Sequence, residues 1–261
     1  MSYKRVALIT GASAGIGYAT ALEFARQGTH VVGIARRSER LLELSVKINA
    51  LAGGHGEFLP VTADVQNADD MLYAVEQTME KFGRLDVLVA NAGIGHRGSI
   101  VDAQWDDLQT LLRTNIDGFL HSIRAAVPAI KQHKQGGHII ILSSVVHNGI
   151  VPFAATYAAS KAFVNSIGRS LQLELEDDNI RVTNMLIGRT ASEFSKKRLG
   201  TSGRSGGGIP IMSTKKVAKA IVKASKSKRK AVALRWIDRF ILLGNALVPG
   251  FVGRKALKQY K

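Results

Sequence analysis

Short apolar runs of strand length alternate along the chain with segments whose apolar residues recur at helical spacing. The runs are RVALIT (5–10), HVVGIA (30–35), EFLPVT (57–62), LDVLVAN (85–91), HIIILS (138–143), IRVTNMLI (180–187) and KAVAL (230–234). Several are nearly continuous in Val, Ile and Leu, as strands covered on both faces should be. Between them lie amphipathic stretches such as YATALEFARQ (18–27), with Ala21, Leu22, Phe24 and Ala25 on one side. This β-α-β-α rhythm predicts an α/β fold, a doubly wound parallel sheet of seven strands with helices on both faces. Neither a repeat nor an interdomain linker interrupts it. The pattern therefore predicts one domain over 1–235, followed by a C-terminal extension over 236–261.

Composition narrows the chemistry. Hydrophobic residues make up 46% of 261, enough for a sizeable core. The chain has no cysteine, which excludes disulfides, thiolate catalysis and cysteine-ligated metals. Its seven histidines are scattered, with no H-E-x-x-H, so no metal site is expected. The apolar run near the N-terminus, Val6 to Ile9, is too short for a signal-peptide core. No stretch reaches the roughly 20 apolar residues of a membrane span. A cytoplasmic protein is expected, with a peripheral place at the inner face of a membrane left open.

The net charge of +16 is unevenly spread. Residues 1–188 hold 17 basic and 18 acidic side chains, residues 189–213 five and one, and residues 214–261 fourteen and one. The basicity belongs to the tail and the loop before it, whereas a DNA-binding domain wears its charge on the recognition fold. No nucleic-acid partner is expected.

The turn TGASAGIG (10–17) follows the first strand and opens a helix. Gly11, Gly15 and Gly17 let the backbone turn tightly and approach a pyrophosphate at the helix's positive end, with Ile16 between the last two. In that position the turn predicts dinucleotide binding and makes the sheet Rossmann-like. The second strand ends in Ala35-Arg36-Arg37, with no carboxylate until Glu39. An acid there would hold a ribose 2′-hydroxyl, whereas an arginine fork suits a 2′-phosphate. NADP(H) is therefore expected over NAD(H), and Ser13 adds a hydroxyl donor.

In TYAASKA (156–162), Tyr157 and Lys161 stand at i and i+4, on one face of a helix. A nearby ammonium favours the phenolate and pulls a phenol's pKa toward the working range. The same spacing on an exposed face would carry no chemistry, so the pair has meaning only through its neighbours.

Those neighbours resemble the short-chain dehydrogenase/reductase family, in its single-domain branch of about 250 residues. TGASAGIG, Asp64-Val65 after strand three, NAG (91–93), Asn115 in TNIDG, Ser144 in LSSVV and Y-A-A-S-K follow the family's order. Ser144 also keeps the family's distance, thirteen residues before Tyr157. The resemblance spans residues 5–195. It implies that Asp64 and Val65 hold the adenine, and that Asn91, Ala92 and Gly93 line the cofactor. It further implies a catalytic set: Tyr157 as general acid/base, Lys161 lowering its pKa and holding the nicotinamide ribose, Ser144 on the substrate oxygen, and Asn115 positioning a water. The implied reaction interconverts a carbonyl compound, a ketone or aldehyde, and an alcohol by hydride transfer. After strand six the sequence departs from the family: in LIGRTASEF, Ile187 replaces a proline before Gly188, and Ser192 stands where a threonine usually holds the carboxamide. Serine keeps the hydroxyl, while losing proline removes a φ constraint.

Residues 190–212 fall where the family places its substrate lid. Lys196, Lys197, Arg198 and Arg204 there either meet an anionic group or form a solvated charge run. His96 and His147 flank the site by sequence and either shape the pocket or sit in loops. In the extension, Trp236, Phe240, Leu243, Leu247 and Phe251 beside basic residues admit two readings: an in-plane anchor on anionic lipid, or a segment packed over the pocket or a neighbouring subunit. A hydrophobic substrate suits both. Family analogy implies a homodimer or homotetramer. A non-enzymatic NADPH-sensing or nucleic-acid-binding protein on the same fold is the competing class, and an intact Ser-Tyr-Lys set argues against it.

Overall fold

Residues 4–51, 53–195, 197–200 and 210–258 are described by the computed structural model of the chain. Lys196 and Arg204, named above for the lid, lie outside the described residues.

The apolar runs become strands β1 (Val6–Thr10), β2 (His30–Ala35), β3 (Phe58–Thr62), β4 (Val87–Ala90), β5 (Gly137–Ser144) and β6 (Ile180–Ile187). A two-residue pair follows, β7 (Thr190–Ala191) and β8 (Met212–Ser213), and then β9 (Ala231–Ala233). The main sheet is parallel throughout, in the order β3-β2-β1-β4-β5-β6-β9. This is the expected doubly wound sheet of seven strands.

Helices α1 (Gly15–Arg26), α2 (Ser38–Asn49), α3 (Ala68–Phe82), α4 (Trp105–Leu112), α5 (Gly118–Gln132), α6 (Ala155–Glu174) and α7 (Thr214–Ala224) cover it. Alternate residues of a strand point to opposite faces, so each continuous run serves two cores. Leu8, Leu88, Ile139 and Ile141 pack with Met71 of α3, Phe119 and Ile123 of α5 and Val164 of α6. Ala7, Ile9, Val89 and Ile140 pack with Phe24 of α1, Leu41 and Leu44 of α2 and Ile221 of α7. Local chemistry fixes helix ends: the Asn67 side chain caps α3 at the Asp69 amide, 3.0 Å, and Gly83 closes it at φ +70°. Ser213 caps α7 at the Lys216 amide, 3.2 Å, and turns Val217, Ile221 and Ala224 inward. Helices α8 (Trp236–Leu247) and α9 (Pro249–Leu257) end the described chain.

The crossovers bring the β1–α1 turn, the ends of β4 and β5 and the start of α6 to one edge, outside the carboxyl ends of the strands. In an open α/β sheet that crevice is where ligands bind.

Candidate active site

The glycine turn is closed by β4. Asn91 donates from Nδ2 to the Thr10 carbonyl at 2.7 Å and to that of Gly11 at 3.3 Å. Thr10 Oγ1 in turn accepts from the amides of Asn91 and Ala92, both at 3.0 Å. Gly11 and Gly15 are left-handed, at φ +69° and +59°. A Cβ on Gly17 would lie 2.3 Å from the Gly11 carbonyl oxygen, so only glycine lets the helix start this close to the turn. Ile16 follows within the first turn of α1. Ala14 at the N-cap makes no side-chain capping hydrogen bond, which leaves the first-turn amides of α1 open toward an anion. These residues fit a pyrophosphate. Asn91, expected to line a cofactor, applies its side chain to the turn itself.

At the end of β2, Arg37 reaches Ser13 Oγ at 3.0 Å and Glu193 at 3.4 Å. Arg36 is mostly exposed and lies 3.5 Å from Asp64 Oδ2. Asp64 also accepts from the Gln66 amide at 3.0 Å, and Val65 turns its side chain into the core. The two arginines thus flank the open end of the turn, each beside a carboxylate, with Arg37 also bonded to buried Ser13.

The other end of the cleft is built from β5, α6 and a five-residue π-turn, Arg113–Asp117. That turn carries Asn115, which is buried and bonded on both sides. Its Oδ1 accepts from the Ile94 amide at 2.8 Å, and its Nδ2 donates to the Ile94 carbonyl and to Ser160 Oγ, both at 3.0 Å. Gly93 sits where a Cβ would lie 3.2 Å from Asn115 Oδ1 and 3.5 Å from Lys161 Nζ. Lys161 is buried and donates to the Leu142 carbonyl at 2.8 Å. A cavity of about 10 Å³, enough for one water, is bounded by Thr10, Asn115, Ser122 and Lys161 among others.

Ser144 ends β5 and donates to the Ile187 carbonyl at 3.2 Å. Tyr157 stands opposite, and its phenol shares a hydrogen bond with Ser144. Burial pushes the Tyr157 phenol up to about 12, against the pull of that bond. Burial pushes Lys161 down to about 8. The influences on the Tyr157 phenol are burial and the Ser144 hydrogen bond, and the Lys161 ammonium is not among them. The ammonium lies 5.9 Å from the ring centroid, tied to a β5 carbonyl, and desolvation dominates both groups.

The segment after β6 crosses both ends of the cleft. Ser192 lies 3.2 Å from where a Gly15 Cβ would be, and the Phe194 ring stands 5.6 Å from that of Tyr157. Leu199 pairs its backbone with Gly95 and Arg97, at 2.9 and 3.0 Å. Buried His96 bridges to the same strandlet, and His147 bonds through Nδ1 to the Ser144 carbonyl at 2.9 Å. Gly188 is backed by α8: a Cβ on it would lie 2.3 Å from Asp238 Oδ1 and 2.4 Å from Arg235 Nη2.

Four participants carry no expectation from the sequence: Thr10, Ser160, Glu193 and the Arg235–Asp238 pair. Thr10 opens the quoted glycine motif, so its position was a signal. The others depend on contacts between distant segments.

The short chain dehydrogenase profile matches residues 5–202. An uncharacterized oxidoreductase of Staphylococcus epidermidis is 36% identical over 190 residues, covering 71% of this chain and 77% of that one. The Bos taurus dehydrogenase/reductase SDR family member 7B is 32% identical over 241 residues, covering 88% and 73%. Carveol dehydrogenase from Mycobacterium avium, solved in complex with NAD, superposes with a TM-score of 0.78 at 22% identity, over 88% of this chain and 95% of that one.

Proposed function

Because the chain belongs to the short-chain dehydrogenase family, we propose that it is an NADP(H)-dependent oxidoreductase that interconverts a hydrophobic ketone or aldehyde and its alcohol. The observation that carries this reading is Tyr157: a phenol at the floor of the cleft, hydrogen-bonded to Ser144 and one helical turn from buried Lys161. When bound, the nicotinamide supplies or accepts the hydride.

The residues of this chain supply the rest. The α1 amides and the glycine turn hold the pyrophosphate, and Arg36, Arg37 and Ser13 hold the 2′-phosphate. Ser144 donates to the carbonyl oxygen and stabilises the negative charge that grows there. Tyr157 is neutral at pH 7, since its pKa lies near 12, so it is loaded to give its proton to that oxygen. Lys161, Asn115 and the water-sized cavity beside them form a route by which the phenol regains a proton. Phe194 covers Tyr157 and keeps bulk water away.

The test follows NADPH oxidation against a panel of hydrophobic ketones, aldehydes, steroids and 3-oxoacyl thioesters. Turnover is expected with NADPH and lost by about 10³-fold in Tyr157→Phe, which still binds NADPH. Retained turnover in that variant overturns the assignment. NADPH binding without turnover of any substrate in the panel by the unaltered protein would favour a sensor.

A further inference from the structure

A helix packed on a protein in water turns its apolar face inward and its polar face outward. α8 does the reverse. Asp238 and Asn245 face the protein, 0% and 6% exposed. Asp238 takes two bonds from Arg235, at 2.9 and 2.5 Å, and Asn245 packs against Gly149. Trp236, Phe240, Leu243 and Leu247 share the opposite face at i, i+4, i+7 and i+11. They are 71%, 62%, 53% and 71% exposed. Solvation alone does not select that arrangement.

The chain then bends by 114° at Val248 into α9, and Val248 and Phe251 extend the exposed patch. Exposed Ile211 and Ile150 continue it at either side, since Arg235 donates to the Pro210 carbonyl and Ile150 packs on Gly253 of α9. Cations border the patch. Arg239 lies at the edge of the α8 face, and Arg254, Lys255 and Lys258 surround Phe251 on the outer face of α9. Among the described residues none of these four is in an ion pair.

We propose that α8 and α9 dock the protein on an anionic bilayer, lying in the plane of the interface. The aromatic and leucine side chains enter the boundary between headgroups and acyl chains, and the four cations meet the lipid phosphates. The elements do not cross. α8 has 12 residues, roughly 18 Å of helix against a hydrocarbon core of about 30 Å. A second copy of the chain is the weaker occupant. A two-fold contact through this face would set its unpaired cations against their own duplicates. Docking also places the rim of the cleft at the bilayer, because Arg235 and Asp238 pack on Gly188 beside Ile187 and Ser144. An apolar carbonyl compound dissolved in the membrane would then enter directly. This last consequence rests on the proposed function, whereas the docking does not.

The test is co-sedimentation of the full-length protein with vesicles of phosphatidylcholine, alone or mixed with phosphatidylglycerol, at low and high salt. Binding is expected to the mixed vesicles only, weakened by salt, with a blue shift of Trp236 emission in a Trp105→Phe background. Phe240→Ser/Leu243→Ser should abolish it. Arg254→Gln/Lys255→Gln, which leaves the apolar face intact, should weaken it about thirtyfold. Tyr157→Phe should bind like the parent, which separates docking from catalysis. Failure to sediment with mixed vesicles overturns the proposal, as does binding indifferent to both double variants. Loss of a dimer in Phe240→Ser/Leu243→Ser, without vesicle binding by the parent, would assign the face to a subunit contact instead.

Discussion

At one end of the cleft, Ser144 and Lys161 are buried and anchored to the backbone of β6 and β5, and the Tyr157 phenol bonds to Ser144. At the other, Arg36 is exposed and Arg37 half-buried, beside the carboxylates of Asp64 and Glu193. The same chain therefore treats its charged groups in opposite ways. A proton-transfer group needs a fixed place and a shifted pKa, and burial provides both. A group that recognises a dianion needs a partner that can be exchanged, and an exposed ion pair contributes only about 0–1 kcal/mol. Substitutions at the first end should therefore act on turnover, and those at the second on cofactor choice.

Lys161→Met is the strongest way to break this contrast after Tyr157→Phe. It removes the buried ammonium while keeping the aliphatic stem, and turnover should fall by about 10²- to 10³-fold. An unchanged kcat would show that the buried end is only structural.

The pH dependence sharpens the same point. Lys161 has a folded pKa near 8, below its ordinary 10.5, so above pH 8 the unfolded chain binds more protons than the folded one. Stability should rise between about pH 8 and 10, by about 2 kcal/mol. Tyr157 works oppositely from pH 10 upward, because its folded pKa near 12 exceeds its ordinary 10 and the folded chain holds the extra proton. Carbonyl reduction should meanwhile decline above pH 8 as Lys161 loses its charge. Activity and stability thus move in opposite directions over one window. Thermal melts and rates compared with Lys161→Met check it: a parallel rise in both proteins would remove Lys161 as the cause.

The buried end was also the more legible in sequence. Continuous apolar runs marked the strands closely: 30–35 and 180–187 coincide with β2 and β6, whereas LDVLVAN and KAVAL overrun β4 and β9. Helical spacing set Tyr157 and Lys161 on one face of α6. What holds each of them was hidden. The Leu142 carbonyl that takes Lys161 lies 19 residues away, and the Thr10–Asn91 clamp exists only because β1 pairs with β4. The π-turn at Asn115 was equally hidden, since nothing in Arg-Thr-Asn-Ile-Asp distinguishes a wider turn from an ordinary one. In α8 the right apolar residues were visible, but their outward direction follows from buried Asp238, which bonds Arg235 and packs on Gly188.

The arginine end carries the smaller effects. Arg37→Ala removes the fork that reaches Ser13, and a charged hydrogen bond is worth about 1.5–3 kcal/mol. The KM for NADPH should rise roughly ten- to a hundredfold while that for NADH is unchanged. Equal changes for both cofactors would mean that the arginine supports the turn and not a phosphate.

Glu193→Gln is the smallest and the most discriminating. Its carboxylate stands 3.4 Å from Arg37 Nη1 and 3.2 Å from Lys197 Nζ, in the segment that also brings Phe194 over Tyr157. A 2′-phosphate bound to Arg37 must displace that carboxylate or lie beside it, and like charges this close repel. Neutralising Glu193 should therefore lower the KM for NADPH by about two- to fivefold, the range of an exposed pair, with little effect on NADH. The opposite outcome, weaker NADPH binding, would show that Glu193 orients Arg37 toward the phosphate. The arginine end would then be preorganised like the buried end, and the contrast between the two would fail.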